Sequence, residues 1–227
     1  MRNHYETPTQ VEIERYWHIG RESAPKLWTR SVFPRSPGPF IRRARDAAGY
    51  ARELVVGQWG LIPWFAKKPK LKYPTNNARS EELEAKASYK DPWKRGQRCI
   101  IPASTFDEPN WETGKNVWWQ FRREDGDPWG LAGLWNTWEY PATCEVHESF
   151  TMLTVNADEH PLMRRMHKPD PKAPHDRQDK RSVIPLEASD FDQWLEGTVA
   201  QASGLMKLAP VEVFDAKPRQ PDQPSLM

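Results

Sequence analysis

Three short polar stretches, far apart in the chain, each combine ionisable or amide side chains with strongly apolar neighbours. They supply an amide from Asn77, a guanidinium from Arg79, a carboxylate followed by proline from Glu108 and an imidazole from His167. Such a set suits acid/base chemistry on an anionic substrate. The spacing predicts one site assembled by folding, and a further partner is expected at the amino terminus, in residues 1–5.

Short capped helices and hairpins are predicted in the first half of the chain. A capping box at residues 9–12 predicts a helix that runs through Trp17. Residues 46–49 predict a turn, and the strands expected on either side of it, at 40–43 and 54–56, would form a hairpin.

The polar stretch around Asn77 is predicted to precede a helix. Ser80 can cap a short helix that must stop near Pro92, which places Asn77 and Arg79 just before the helix start. The free N–H groups and the positive end of the helix dipole would favour an anion such as a phosphate at that point.

Strands dominate the second half. Pro161 suits the first turn of a helix that carries His167 at its end, and residues 169–180 predict an exposed loop. A last amphipathic helix is expected from Ser189, with Gly197 as its stop. The predicted strands cover residues 99–104, 117–121, 129–134, 150–155 and 181–184.

These elements predict an α+β fold, mainly antiparallel, with a barrel-like mixed sheet and short peripheral helices. Residues 1–215 are expected to form a single domain. Residues 216–227 hold three prolines and little apolar content, so a flexible C-terminal tail is predicted there.

Composition limits the class of protein. The chain has 227 residues, of which 37% are hydrophobic and 28% charged, as is typical of a globular domain rather than a disordered one. Without an apolar run long enough to span a membrane or a signal-peptide core, the expected location is cytoplasmic. Two cysteines, Cys99 and Cys144, are too few for a disulfide framework.

A formal net charge of +2 means that attraction to a polyanion must come from local clusters. Lys67 and Lys68 belong to one such cluster, beside Trp64, whose ring could stack on a nucleic-acid base. The alternative is that these clusters are ordinary solvated surface.

Other site types have weaker support. His160 and His167 are seven residues apart, but Pro161 separates them, and the sequence holds no paired cysteines or other distinctive ligand spacing, so neither a metal nor another cofactor is expected. Ser104 follows a strand but lacks the glycines of a nucleophile elbow.

The motifs resemble those of the SOS response-associated peptidase (SRAP) family. The resemblance implies a sensor of abasic sites in single-stranded DNA that becomes covalently attached to the DNA, with crosslinking, lyase and self-processing peptidase activity. It implies neither a membrane nor an obligate protein partner. The motifs that carry it are residues 3–5, 59–64, 77–81, 98–104, Glu108, and His167 followed by residues 180–184.

The resemblance also implies roles for individual residues. Asn77 matches the asparagine that positions the amino-terminal group, and Glu108 matches the carboxylate that shuttles protons during imine formation and release of Met1. His167 matches the histidine that assists opening of the abasic sugar ring, with His160 as the alternative. The residues expected to contact DNA are Arg79, Trp64, His4, Lys67 and Lys68.

Position 2 departs from the family, which carries a cysteine there. Arg2 stays protonated and cannot replace a thiolate nucleophile, and it should hinder removal of Met1. Three explanations stay open: a sequence change at one codon, a relative that binds DNA without crosslinking, or a relative that forms only a reversible imine. The function classes are therefore a covalent abasic-site sensor, a non-covalent single-stranded DNA-binding module, and a self-processing peptidase.

Overall fold

The computed structural model of the chain describes residues 4–20 and 27–219, within which it forms thirteen strands and four α-helices. The strands are β1 (Tyr5–Glu6), β2 (Ser31–Val32), β3 (Pro37–Arg43), β4 (Arg52–Trp59), β5 (Asn77–Arg79), β6 (Arg98–Ala103), β7 (Thr105–Asn110), β8 (Val117–Arg123), β9 (Trp129–Tyr140), β10 (Glu145–Asn156), β11 (Arg181–Val183), β12 (Pro185–Leu186) and β13 (Phe214–Pro218). The helices are α1 (Gln10–Tyr16), α2 (Ala87–Lys94), α3 (Phe191–Glu196) and α4 (Val199–Leu205).

Five strands close into a barrel at the centre of the fold. The ring runs β10, β4, β3, β6 and β9, and β9 pairs back with β10. Every pairing is antiparallel except that of β10 with β4. The predicted α+β, mainly antiparallel, barrel-like fold with short outer helices is therefore confirmed.

A second sheet carries part of the site. Its order is β13, β8, β7, β1 and β2, all antiparallel. The chain passes from the barrel strand β6 to β7 through the single residue Ser104. The Ser104 N–H donates to the carbonyl of Glu6 at 2.7 Å. Strand β7 is buried along its whole length.

Period-two alternation along the barrel strands divides the apolar side chains between two cores. On β6, Ile100 joins a core shared with the helices, including Trp93 and Trp194, whereas Cys99 and Ile101 join a core shared with the second sheet. Alternation on each strand therefore attaches both the helices and the second sheet to the barrel. The thiols of Cys99, which is buried, and Cys144, which is exposed, are both free.

Several predicted elements are confirmed. The capping box opens α1, because the Thr9 side chain accepts the Glu12 N–H and the Glu12 carboxylate accepts the Thr9 N–H. Strands β3 and β4 form the predicted hairpin. Helix α3 ends at Gly197.

Two predicted helices differ in the structure. After Asn77 and Arg79 the chain forms only a 3-10 turn, Ser80–Glu82, and α2 begins later and contains Pro92. Burial of Tyr89 and Trp93 against the core offsets the hydrogen bond that this proline removes.

The expected helix leading to His167 is shorter than predicted. It is a 3-10 turn, Met163–Arg165, and the chain then leaves helical geometry because Met166 pairs with Asn110 on β7 as an isolated bridge. His167 therefore lies in a loop held against β7.

The predicted boundary of the C-terminal tail at residue 216 is wrong. Strand β13 continues to Pro218 and pairs with β8, with Ala216 opposite Phe121. The pairing satisfies backbone groups that a free tail would leave to water. The single-domain assignment stays a prediction, and residues 1–3, 21–26 and 220–227 lie outside the described residues. No helix in the described part of the chain is both long and apolar enough to cross a membrane.

Closure of the barrel requires a residue without a side chain at position 133. A Cβ on Gly133 would lie 2.8 Å from the Thr151 carbonyl oxygen on β10 and 2.9 Å from the Cys99 sulfur on β6. We expect Gly133→Ala to lower the free energy of unfolding by about 1–3 kcal/mol, because neighbouring backbone must move. Urea unfolding followed by tryptophan fluorescence measures this.

Gly49→Ala is the matched control, because a Cβ there meets no atom within 4 Å. Equal effects of the two substitutions would contradict the close approach at Gly133.

Candidate active site

Two adjacent carboxylates on β7 face different partners. Neighbouring strand residues point to opposite faces, so Asp107 and Glu108 diverge. One oxygen of Asp107 accepts from Arg219 at 2.6 Å and lies 2.7 Å from Nδ1 of His4, whereas Glu108 meets His167. Both carboxylates are buried, and such groups are stable only with hydrogen-bonding or charged partners.

The imidazole of His167 lies beside the Glu108 carboxylate. Nε2 of His167 is 2.8 Å from Oε2 of Glu108, which is 1% exposed. A carboxylate in that contact accepts, so Nε2 carries the proton. The pair therefore joins a proton donor, the His167 imidazole, to a proton acceptor, the Glu108 carboxylate.

The loop that presents His167 is held in an unusual conformation. His167 has φ of 63°, in the left-handed region that non-glycine residues seldom adopt. Its N–H donates to the carbonyl of Pro109 at 2.6 Å, which fixes the loop to β7 directly after Glu108. Strained backbone of this kind persists where the surroundings hold it firmly.

Lys180 holds the same loop from the other side. Its ammonium donates to the carbonyls of Met166 and His167, both at 2.7 Å, and the side chain is buried. The backbone N–H of Lys180 donates to the Asp158 carboxylate at 2.8 Å. Burial lowers the pKa of Lys180, and the charge of Asp158 opposes that change.

His160 has a different environment from His167. Its Nε2 lies 2.9 Å from the carbonyl of Ala209, and its Nδ1 accepts the N–H groups of Leu162 and Met163 at 3.2 and 3.1 Å. Both ring nitrogens are thus occupied by backbone groups. His160 therefore stabilises the turn, and of the two candidate histidines only His167 contacts Glu108.

Asn77 and Arg79 lie on β5, which pairs in parallel with the end of β10. Asn77 is opposite Met152, which packs in the same core cluster as Met166, the residue before His167. The Arg79 guanidinium is half exposed and bonds to Asp179, with Glu82 at 3.7 Å. The anion site expected from an α-helix start is absent here, because the described chain continues into a 3-10 turn.

A network of ion pairs ties β5 to β11 around the end of β10. The carboxylate of Glu81 accepts two hydrogen bonds from Arg181, at 2.9 and 2.7 Å, and one from the N–H of Asn156. Partial burial raises the pKa of Glu81, but the Arg181 hydrogen bonds and the backbone donors outweigh it and lower the pKa to about 2.

Three of the side chains expected to contact DNA, those of Trp64, Lys67 and Lys68, lie exposed in the segment after β4. Trp64 is 65% exposed and meets Phe65 edge to face, with ring centroids 5.6 Å apart. Lys67 and Lys68 are exposed beside them. His4, by contrast, is buried against Asp107 and packs on Phe33 with centroids 4.7 Å apart.

The structure brings Glu108 and His167 into contact and places His4 against Asp107. Asn77 and Arg79 lie on β5, which pairs with β10 of the barrel sheet. The predicted role of Arg2 lies outside the described residues. The sequence reasoning missed Asp107, Lys180, Arg219 and Phe33. Asp107 lies next to Glu108 and Lys180 lies within the motif at residues 180–184, but no role was predicted for either, and Arg219 lies in the segment predicted to be a tail.

His167 also lines a cavity of about 1100 Å³ between the 3-10 turn and the loop at residues 169–180. Its lining is mixed in charge: Arg164, Arg165, Arg177 and Lys180 face Glu112, Asp158, Glu159 and Asp176. Among the described residues, no group of three or more His, Cys, Asp or Glu side chains is arranged to hold a metal ion.

Lys180→Met should destabilise the His167 loop. Methionine has a similar length but no donor, so the two buried carbonyls lose their partner, at a cost of about 1–3 kcal/mol in free energy of unfolding. Proton chemical shifts of the His167 ring should move as well. Lys172→Met, at an exposed position of the following loop, is the control and should change neither quantity.

Glu81→Gln tests the ion-pair network through pH. Because the pKa of Glu81 is lowered to about 2 in the folded state, its carboxylate stabilises the fold above the unfolded pKa near 4.5 and loses that effect as pH falls toward 2. The stability difference between wild type and variant should therefore be constant above about pH 5 and shrink below it. Urea titrations at several pH values measure this, and a difference that grows in acid would contradict it.

Comparison with known proteins matches the chain to a protein family. The family model described as SOS response associated peptidase (SRAP) matches residues 4–219. The chain is 32% identical over 153 residues to the abasic site processing protein HMCES of Gallus gallus, covering 56% of this chain and 45% of the relative. It is 30% identical over 129 residues to the abasic site processing protein YoqW of Bacillus subtilis (strain 168), covering 56% of each. The chain thus spans about half the length of the curated relatives that it matches.

Solved structures agree on the fold. A protein from Bordetella bronchiseptica superposes with a TM-score of 0.83 at 32% identity, over 96% of this chain and 99% of that one. One from Bacteroides thetaiotaomicron has a TM-score of 0.74 at 19% identity, over 96% and 92%, and shows the shared fold alone. With a family match across nearly all described residues, a closed barrel and a buried Glu–His pair, the chain belongs to the SOS response associated peptidase (SRAP) family.

Proposed function

We propose that this protein processes abasic sites in single-stranded DNA by bonding its amino-terminal amine to the ring-opened sugar. The observation that carries the proposal is the 2.8 Å contact between Glu108 and His167 in a chain of the SRAP family. Two relatives named abasic site processing proteins support the substrate class.

The first step is opening of the abasic sugar. The closed sugar is a hemiacetal, and opening removes the proton of its C1′ hydroxyl, breaks the bond from C1′ to the ring oxygen and protonates that oxygen. His167 can assist because imidazole is the most common proton carrier in enzyme sites, and its Nε2 lies 2.8 Å from the Glu108 carboxylate. The product is an aldehyde.

The second step joins amine to aldehyde. The neutral α-amine attacks C1′, and a proton moves from nitrogen to the new oxygen. A second proton taken up by that hydroxyl lets it leave as water, and the resulting iminium gives up its nitrogen proton to yield the imine. An α-amine has a pKa near 8, so a useful fraction is neutral at pH 7. We assign these proton transfers to the buried Glu108 carboxylate, and the orientation of the amine to Asn77.

The DNA strand itself would be held by charge and stacking. We assign the phosphates to Arg79, Lys67 and Lys68 and a stacked base to Trp64, whose ring is exposed. His4 is assigned an indirect role, because its ring packs on Asp107 inside the site.

Arg2 defines the second candidate function. A cysteine at this position could add its thiol to the imine and close a thiazolidine ring, but arginine has no nucleophile of that kind. With Arg2 the covalent product would stop at an imine, which water reverses. If no imine forms, the protein is a non-covalent single-stranded DNA-binding module.

Intact mass spectrometry tests the proposal. Wild type would be mixed with single-stranded DNA carrying one abasic site, with and without borohydride, which reduces an imine to a stable amine. We expect an adduct with wild type only after reduction, and an adduct with Arg2→Cys that needs no reduction. Glu108→Gln should slow adduct formation by about 10²-fold or more, because a positioned proton carrier is lost.

His147→Gln is the matched control for His167→Gln. His147 lies on β10, and its ring contacts Glu145 and Trp138 rather than Glu108. Only the His167 variant should slow the reaction. Salt-dependent binding without any adduct, in wild type and Arg2→Cys alike, would establish the non-covalent alternative instead. Absence of both binding and adduct would refute the proposal.

A further inference from the structure

A buried arginine without a carboxylate partner lies at the start of β6. Arg98 is 3% exposed, and its guanidinium donates to the carbonyls of Trp194 and Gly197. Within the described ranges no Asp or Glu oxygen lies within 4 Å of it, in contrast to Arg42, which pairs with two carboxylates. Buried charges are normally neutralised, so this cation has charge to offer an anion.

Arg98 borders a cavity whose lining is strongly basic. The cavity has a volume of about 680 Å³ and lies between the end of β3, the end of α2 and the start of α4. Five cationic side chains line it against one acidic side chain, Glu196. The cationic ones are Arg43, Arg45, Lys94, Arg95 and Arg98.

The acidic side chain does not neutralise this lining. Glu196 pairs with Arg43 at 2.9 Å, and Arg45 reaches Glu148 at 3.5 Å. Lys94 and Arg95 are exposed, and among described residues neither has a carboxylate within 4 Å. Like charges held together repel one another, so an anion bound among them would be favoured.

The distribution of the cations favours a polyanion over a single small ion. They come from three separate elements and face a cavity large enough for more than one phosphate-sized group. A chain of phosphodiesters presents charges at intervals and releases counterions when several are neutralised together.

Neither Glu108 nor His167 lines this cavity. Arg98 begins β6 and Ser104 follows its end, where the chain continues into β7 and the Ser104 N–H donates to Glu6 of β1. At about 3.3 Å per residue, this strand places the two ends roughly 20 Å apart. A single DNA strand of sufficient length could therefore contact both places.

We propose that this basic cavity is a second DNA-binding site, which holds phosphates of the single strand at a distance from the abasic nucleotide. The proposal rests on the proposed function, since it extends the same DNA substrate. It adds a contact that short substrates cannot reach.

A length series tests it. Fluorescence anisotropy would measure binding of two abasic single strands, one of about 5 nucleotides and one of about 20. In the double variant Lys94→Gln/Arg95→Gln, we expect the longer strand to bind about tenfold more weakly, with a salt slope lower by about 1.4, and the shorter strand to bind as in wild type.

Lys90→Gln/Lys115→Gln is the matched control, because both lysines are exposed and neither lines the cavity. It should leave both affinities unchanged, and circular dichroism should confirm that both double variants are folded. Equal weakening of both strands by the cavity variant, or no weakening of the longer one, would overturn the second site while leaving the proposed function intact. If wild type binds neither strand, the proposed function itself fails.

Discussion

Burial of the Glu108 carboxylate is the constraint that the rest of the site satisfies. A charge withdrawn from water needs a partner at hydrogen-bond distance, and His167 supplies it. To reach that position the His167 loop must leave helical geometry and adopt a positive φ, which costs free energy. The backbone pairing of Met166 with β7 and the two hydrogen bonds from Lys180 offset that cost.

Much of the architecture could be predicted from local sequence. The capping box of α1, the β3–β4 hairpin and the stop of α3 at Gly197 each depend on residues close together in the chain, so their signals are local. The fold class followed from the many short strands. The candidate residues Glu108 and His167 were identifiable from their chemistry and from the family resemblance, and the structure places them in contact.

The errors arose where long-range contacts decide local structure. Pro92 lies inside α2 because Tyr89 and Trp93 are buried, and no pattern within the helix indicates that. His160 and His167 look alike in the sequence, and only the distant carbonyl of Ala209 and the Glu108 carboxylate distinguish them. Arg219 was assigned to a tail because its backbone hydrogen-bond partner, Trp118 on β8, lies far away in the chain.

The contact of Arg219 with Asp107 and His4 has a consequence for biosynthesis. Arg219 and His4 are 215 positions apart, yet Nη1 of Arg219 lies 3.3 Å from Nδ1 of His4. Proteins emerge from the ribosome amino terminus first, and domains begin to fold as they appear. The amino-terminal strand must therefore wait for almost the whole described chain to be translated before this cluster can form, so a nascent, partly made chain holds the Asp107 carboxylate without its Arg219 partner.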